Sequence, residues 1–183
     1  MKVSLSAKGF TPEQLEILKL WYSGEFMDTK ITKKQTQTLL SVRDLLSKPV
    51  TKTLYRIVMR EVNEAPTIAR KGLKGTSYVA TKMANRPISF TISVARAQTF
   101  FEENFNYDRT RDNHIALILS CTVPAKNQFI VVNDLLVALK ADKQKEMYKY
   151  IYEYARQQET ICMFTEPPTV TIEKVLIPIK TGK

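Results

Sequence analysis

Pro49 separates two parts of the chain whose apolar residues follow different periods. Before it, apolar side chains such as Leu15 and Leu18 recur at helical spacing in the segment that begins at Thr11. After it, β-branched and aromatic residues form short runs, of which the first covers residues 53–59. A helical period and a strand period bury different sets of side chains. The sequence therefore predicts helices first and a β-rich part after them.

We expect a single domain over residues 1–183, because this length allows a sizeable core and no repeat or linker interrupts it. The helical part covers about residues 10–48 and the β-rich part covers about residues 50–180. The predicted fold class is α+β, with N-terminal helices followed by a mainly antiparallel β core.

Local signals place the individual elements. Thr11-Pro12-Glu13-Gln14 is typical of a helix start, with Thr11 as the N-cap and Gln14 three residues after it. Further helices are predicted at about 32–46 and 94–105, and residues 147–156 fit either a helix or a strand. Residues 61–86 are predicted to be a basic, loop-rich connection with one short helix, and strands are predicted at 88–93, 115–123, 129–132, 159–164 and 169–178.

Composition narrows the classes of function. The chain has 28 Lys and Arg against 18 Asp and Glu, a net charge of +10, which favours contact with a polyanion or serves solubility alone. Cys121 and Cys162 lie in apolar runs, as expected of buried reduced thiols, and His114 is the single histidine. No apolar run is long enough to cross a membrane. We therefore expect a cytoplasmic protein without a metal site.

The triplet Gln157-Gln158-Glu159 precedes a predicted strand. Residues two apart in a strand point to the same face, so Gln157 and Glu159 are able to enter one cleft together. A carboxylate and an amide side by side suit group transfer, in which one stabilises a cationic centre and the other holds an acceptor. The triplet is also common at solvated strand edges, so it predicts no function by itself.

Three motifs in order make a more specific pattern. Arg56 lies in the strand motif Leu54-Tyr55-Arg56, Ser89-Phe90-Thr91-Ile92-Ser93 follows, and Gln157-x-Glu159 comes last. This set resembles the mono-ADP-ribosyltransferases of the Arg–Ser–Glu class, and within them the ModB-type enzymes of T-even bacteriophages. The resemblance covers about residues 11 to 178. It implies a split-sheet fold of that family, NAD as substrate, and no metal.

The resemblance assigns Arg56 and Glu159 the central roles. Arg56 corresponds to the family arginine that holds the NAD pyrophosphate, for which a guanidinium is suited by its fork of N–H donors. A surface ion pair is the alternative for Arg56. Glu159 corresponds to the catalytic glutamate. It would stabilise the oxocarbenium-like centre that forms when the nicotinamide–ribose bond breaks.

The same resemblance places Thr91, Ser93 and Phe100 around the NAD. Ser93 matches the last serine of the family's Ser-Thr-Ser strand, which supports the glutamate and the nicotinamide ribose, and Thr91 matches the first. Ser93 also suits the N-cap of the helix predicted after it. Phe100 either lies near the nicotinamide or is a core aromatic residue.

Tyr154 and Gln157 are the candidate acceptor-binding residues. They form an aromatic-x-x-Gln-x-Glu pattern similar to that of clostridial exoenzymes that modify an asparagine of Rho GTPases and of pierisin-like enzymes that modify guanine. Tyr154 is alternatively one more amphipathic tyrosine of a tyrosine-rich segment. Gln157 replaces the glutamate that accompanies arginine acceptors in the family. Two further departures are Ile57, where the family has glycine, and Ile92, where it has threonine.

The expected function is transfer of ADP-ribose from NAD to a host macromolecule, with a protein side chain other than arginine preferred as acceptor. The family resemblance implies a phage enzyme that acts in host cytoplasm. A nucleic-acid base as acceptor, NAD hydrolysis without transfer, and a non-enzymatic basic nucleic-acid-binding module remain as alternatives. The sequence leaves the oligomeric state open.

Overall fold

The structure is a computed structural model, and it describes residues 9–23, 31–61, 74–104, 114–152 and 159–176. It confirms an α+β fold in which N-terminal helices precede mainly antiparallel sheets. The five helices in the described residues are α1 (Pro12–Tyr22), α2 (Lys33–Ser41), α3 (Val94–Asn104), α4 (Val132–Ala141) and α5 (Lys145–Tyr152). The strands are β1 (Lys52–Glu61), β2 (Ser77–Val79), β3 (Pro87–Phe90), β4 (His114–Val123), β5 (Gln128–Val131), β6 (Thr160–Met163) and β7 (Thr169–Leu176).

Helix α1 begins where the sequence predicts. The Thr11 hydroxyl accepts from the Gln14 backbone N–H at 3.2 Å, and the Gln14 side chain accepts from the Thr11 backbone N–H at 3.0 Å. This capping box satisfies two backbone donors that a helix start would otherwise leave unpaired. Thr32 and Gln35 form the same box at the start of α2.

Two antiparallel sheets form the β-rich part. The larger one has the order β1-β4-β7-β2 and the smaller one β3-β6-β5. They meet where β1 passes the end of β3, because Tyr55 and Thr91 exchange two backbone hydrogen bonds of 2.8 and 2.7 Å. The edge strand of one sheet thus lies beside the edge strand of the other, and this junction fixes the site described below.

The smaller sheet separates two hydrophobic clusters. Ile161 belongs to the cluster that contains α1, α4 and α5, whereas its neighbour Cys162 belongs to the cluster between the strands. Adjacent residues of a strand point to opposite faces, so one face of β6 meets the helices and the other meets the larger sheet. Any side chain that shares a face with Ile161 is directed towards the helical layer.

The structure differs from the expected elements at three places. The predicted strand 88–93 ends at Phe90, after which Thr91 makes only its bridge to Tyr55. Helix α4 was not predicted. The described end of the connection 61–86 contains strand β2, which was not predicted, and a short 3₁₀ helix at Thr81–Met83, as expected. Residues 145–152 are helical, so the start of the tyrosine-rich segment is a helix and not a strand.

Candidate active site

Glu159 stands at the start of β6 with its carboxylate inside the protein. Its backbone carbonyl accepts from the Val132 N–H at 3.0 Å, which ties it to the start of α4. Its side-chain Oε1 accepts from the Ser89 hydroxyl and from the Trp21 indole N–H, the latter at 3.3 Å. Donors from a strand and from a helix therefore fix one carboxylate oxygen.

The register of β3 and β6 explains why Ser89 reaches Glu159. Ser89 lies opposite Ile161 in this antiparallel pair, and residues two apart share a face. Glu159 is two residues before Ile161, so it lies diagonally across from Ser89 on the face that meets the helices. Trp21 belongs to α1 on that same side.

Arg56 approaches the same serine from the larger sheet. Its Nη1 donates to the Ser89 backbone carbonyl at 2.6 Å. Leu54 and Val58, two residues away on either side, pack in the inter-strand cluster, so Arg56 shares their inward face. Ser89 therefore joins the two charged residues, with its carbonyl bound to Arg56 and its hydroxyl bound to Glu159. Arg56 is thus partly buried with a main-chain partner, in contrast to a residue in a surface ion pair.

Burial is the main electrostatic influence on both charged groups. Burial and, to a smaller extent, the charge of Arg86 lower the pKa of Arg56 to about 10, against the opposing influence of Glu159 and Cys162. The guanidinium therefore stays charged at neutral pH. Arg86 is exposed, so it brings a second positive charge towards the site from the solvent side.

Burial raises the pKa of the Glu159 carboxyl above its ordinary value of 4.5. Hydrogen bonds from Ser89, Trp21 and Tyr22 and the charge of Arg56 act in the opposite direction. Tyr22 is buried, and its pKa is raised by that burial and by the Glu159 charge. The hydrogen-bond donors and Arg56 thus offset part of the effect of burial, and the net result is a raised pKa at Glu159.

The pKa of Glu159 predicts how stability depends on pH. Because its folded-state pKa lies above its ordinary value, the folded chain binds more protons between these two values, and the contribution of Glu159 to stability falls as pH rises through that window. Glutamine does not titrate. The unfolding free energy of Glu159→Gln relative to the parent chain should therefore rise from about pH 4.5 upward and level off above the folded pKa. Urea denaturation across this range measures the difference, and a constant difference would exclude the raised pKa.

The other residues assigned from the sequence lie around this centre or outside the described residues. Thr91 is partly buried at the junction of the two sheets. The Ser93 hydroxyl accepts from the Arg96 backbone N–H at 3.2 Å, as an N-cap of α3 does. Phe100 is partly buried on α3, where Ala97 and Phe101 form the buried side. The remaining two, Tyr154 and Gln157, lie outside the described residues.

Sequence reasoning missed part of this centre. It placed the support of Glu159 at Ser93, whereas the serine bonded to Glu159 is Ser89, four residues earlier. Hydroxyl residues alternate at 89, 91 and 93, so the sequence is compatible with a bond from any of them to Glu159. The β3–β6 register shows that the bonded residue is Ser89. Trp21 recurs at the helical spacing of the apolar residues of α1, and nothing in its local sequence indicates a carboxylate partner.

No protein family, curated protein or solved structure matches this chain. Within the described ranges, none of the helices has the length and apolar character needed to cross a membrane. The same ranges contain no cluster of three or more His, Cys, Asp or Glu side chains arranged to hold a metal ion.

Proposed function

We propose that this chain is a mono-ADP-ribosyltransferase that uses NAD as its substrate. The observation that supports this most is the direct hydrogen bonding of Arg56, Ser89 and Glu159, which are 33 and 70 residues apart along the chain. An arginine, a serine and a glutamate are the residue types that define the Arg–Ser–Glu class. Their proximity in space adds to the order of their motifs in the sequence.

The reaction needs a carboxylate at a developing positive charge. The bond between ribose C1′ and the nicotinamide nitrogen breaks, and its electron pair leaves with the nicotinamide, which becomes neutral. The ribose passes through an oxocarbenium-like state that the Glu159 carboxylate stabilises. The acceptor nucleophile then forms a bond to C1′ and loses its proton to solvent.

The two arginines suit the NAD diphosphate. Charge-assisted hydrogen bonds from a guanidinium to phosphate oxygens are strong and directional, and Arg86 adds a charge near Arg56. Thr91, Ser93 and Phe100 are proposed to line the nicotinamide side. Ser89 is proposed to support Glu159 by its hydrogen bond, which is the role that the sequence motifs assigned to Ser93.

The proposed acceptor is a host macromolecule, with a protein side chain other than arginine preferred. Gln157 supports this preference, since an amide both donates and accepts hydrogen bonds, whereas a carboxylate would pair with a cationic guanidinium. Tyr154 and Gln157 are proposed to present the acceptor to C1′. Adenine-labelled NAD incubated with the protein and a bacterial lysate tests the preference, once the product is divided between protease and nuclease. Label removed by nuclease alone would overturn the protein acceptor.

Variants of Ser89 and Ser93 test which of the two serines supports Glu159. Ser89→Ala removes a hydrogen bond that lowers the pKa of Glu159, so the acidic limb of the pH–rate profile should move to higher pH. Ser93→Ala is the matched control: it should cost about 1 kcal/mol of stability through loss of the α3 cap and leave that limb in place. Urea unfolding and nicotinamide release against pH provide both readouts. A shift with Ser93→Ala but not with Ser89→Ala would restore the sequence assignment.

A further inference from the structure

Helix α5 packs an apolar face against the core and exposes a face of lysine and tyrosine to solvent. Ile151 is fully buried, and Met147, four residues earlier, packs against the same cluster. Residues at spacings of three, four and seven share a face of a helix. Lys145, Lys149 and Tyr152 therefore lie together on the side away from the core, with Tyr148 at its border.

Two tyrosines form a stacked pair on this face. The rings of Tyr148 and Tyr152 have centroids 5.9 Å apart and planes inclined by 21°. Tyr148 packs partly against the core, whereas Tyr152 is 56% exposed. The inner ring is thus anchored and holds the outer one in place, which leaves an ordered aromatic surface facing solvent.

Lysines outnumber carboxylates among the exposed side chains of α5 and the residues just before it. Within residues 140–152, all of which the structure describes, Glu146 is the only exposed carboxylate. Asp142 is partly buried and accepts hydrogen bonds from the Phe10 backbone N–H at 3.0 Å and from Gln144 Nε2 at 3.2 Å. The exposed cations of this stretch are Lys140, Lys143, Lys145 and Lys149.

We propose that this face of α5 binds single-stranded nucleic acid. Lysines next to an exposed aromatic stack match a ligand whose phosphates and unpaired bases are both accessible. A duplex keeps its bases stacked inside, and a run of Asp and Glu offers the lysines a partner but gives the tyrosines no ring to stack on. This binding does not depend on NAD chemistry, so its test is independent of the proposed transferase activity.

The position of α5 places such a strand near Glu159. Ile151 of α5, Tyr22 of α1 and Ile161 of β6 belong to one hydrophobic cluster. Seven residue steps lead from Tyr152 to Glu159, so their Cα atoms are at most about 25 Å apart. A nucleic acid on α5 is therefore bound to the same helical layer that covers Glu159, within that distance of it.

Fluorescence anisotropy with a labelled oligouridine tests the proposal on the full chain. Tyr152→Ala should weaken binding roughly tenfold through loss of one stacked base, whereas Tyr152→Phe keeps the ring and should bind nearly as the parent chain does. Replacing Lys145 and Lys149 together with alanine should reduce the slope of log affinity against log salt by about 1.4, or about 0.7 for each phosphate contact.

A double variant with Lys82→Ala and Lys126→Ala is the charge-matched control, because both lysines are exposed on other elements. It should leave the salt slope near the parent value. Equal slopes for the two double variants would overturn the proposal. So would an affinity for a duplex of the same length that equals the affinity for oligouridine, or displacement by polyglutamate as effective as displacement by unlabelled oligouridine.

Discussion

Replacing Glu159 with glutamine is expected to abolish nicotinamide release from NAD, with a loss of about a hundred- to a thousand-fold or more, the scale for removing one preorganised electrostatic stabiliser. Glutamine keeps the shape of the side chain and still accepts hydrogen bonds from Ser89 and Trp21, but it carries no charge to oppose an oxocarbenium. Because the cost of burying a charge disappears, the fold should persist and the melting temperature should not fall.

Glu173→Gln is the matched control for this experiment. Glu173 is also a partly buried glutamate that accepts from a serine hydroxyl, that of Ser120, but it lies on β7 outside the candidate site. Its replacement should change stability without changing the rate. Nicotinamide release that persists in Glu159→Gln, or is lost equally in both variants, would remove Glu159 from the catalytic role.

Replacing Arg56 with alanine is expected to weaken the stabilisation of the protein by NAD, so that a higher NAD concentration is needed for the same thermal shift. The lost charge-assisted hydrogen bonds to the diphosphate correspond to about 1.5–3 kcal/mol, or roughly 10- to 150-fold in affinity. The variant also leaves the Ser89 carbonyl without its 2.6 Å partner, so the unfolding free energy should fall by about 1–3 kcal/mol in the absence of NAD. Thermal shift against NAD concentration measures both effects.

Arg43→Ala separates the two effects of the Arg56 change. Arg43 is another partly buried arginine: it donates to the carbonyls of Lys126 and Ala125 and lies over the Phe129 ring, 5.2 Å from its centroid. Its loss should lower stability while the NAD-dependent shift remains. An Arg56→Ala variant that needs no more NAD than the parent chain for the same shift would place the diphosphate elsewhere.

The elements that sequence predicted well are those with local signals. The capping box at Thr11 and Gln14 and the apolar run of β4 need only neighbouring residues to be recognised. Helix α4 has apolar residues at helical spacing, but it follows β5 directly and its N-cap, Val131, makes no side-chain capping bond. Without a start signal or a turn, the sequence gives no boundary between that strand and that helix.

The candidate site depends on contacts between distant parts of the chain. Sequence motifs identified Arg56 and Glu159, but their connection through Ser89 requires both the β3–β6 register and the junction of Tyr55 with Thr91. Strand β3 ends early because of the same junction: Thr91 pairs with β1 and not with β6. Trp21 reaches Glu159 only because α1 packs on the face of β6 that carries Ile161. Such tertiary contacts leave no local pattern in the sequence.

NAD labelled separately on its adenine and on its nicotinamide tests the proposed reaction most directly. Incubated with the full chain and a bacterial lysate, the nicotinamide label should appear as free nicotinamide while the adenine label becomes attached to macromolecules, and Glu159→Gln should prevent both changes. Free nicotinamide with all adenine label left in small molecules would show NAD hydrolysis in place of transfer. Intact NAD after incubation with the parent chain would contradict the assignment of Arg56, Ser89 and Glu159 as a transferase centre.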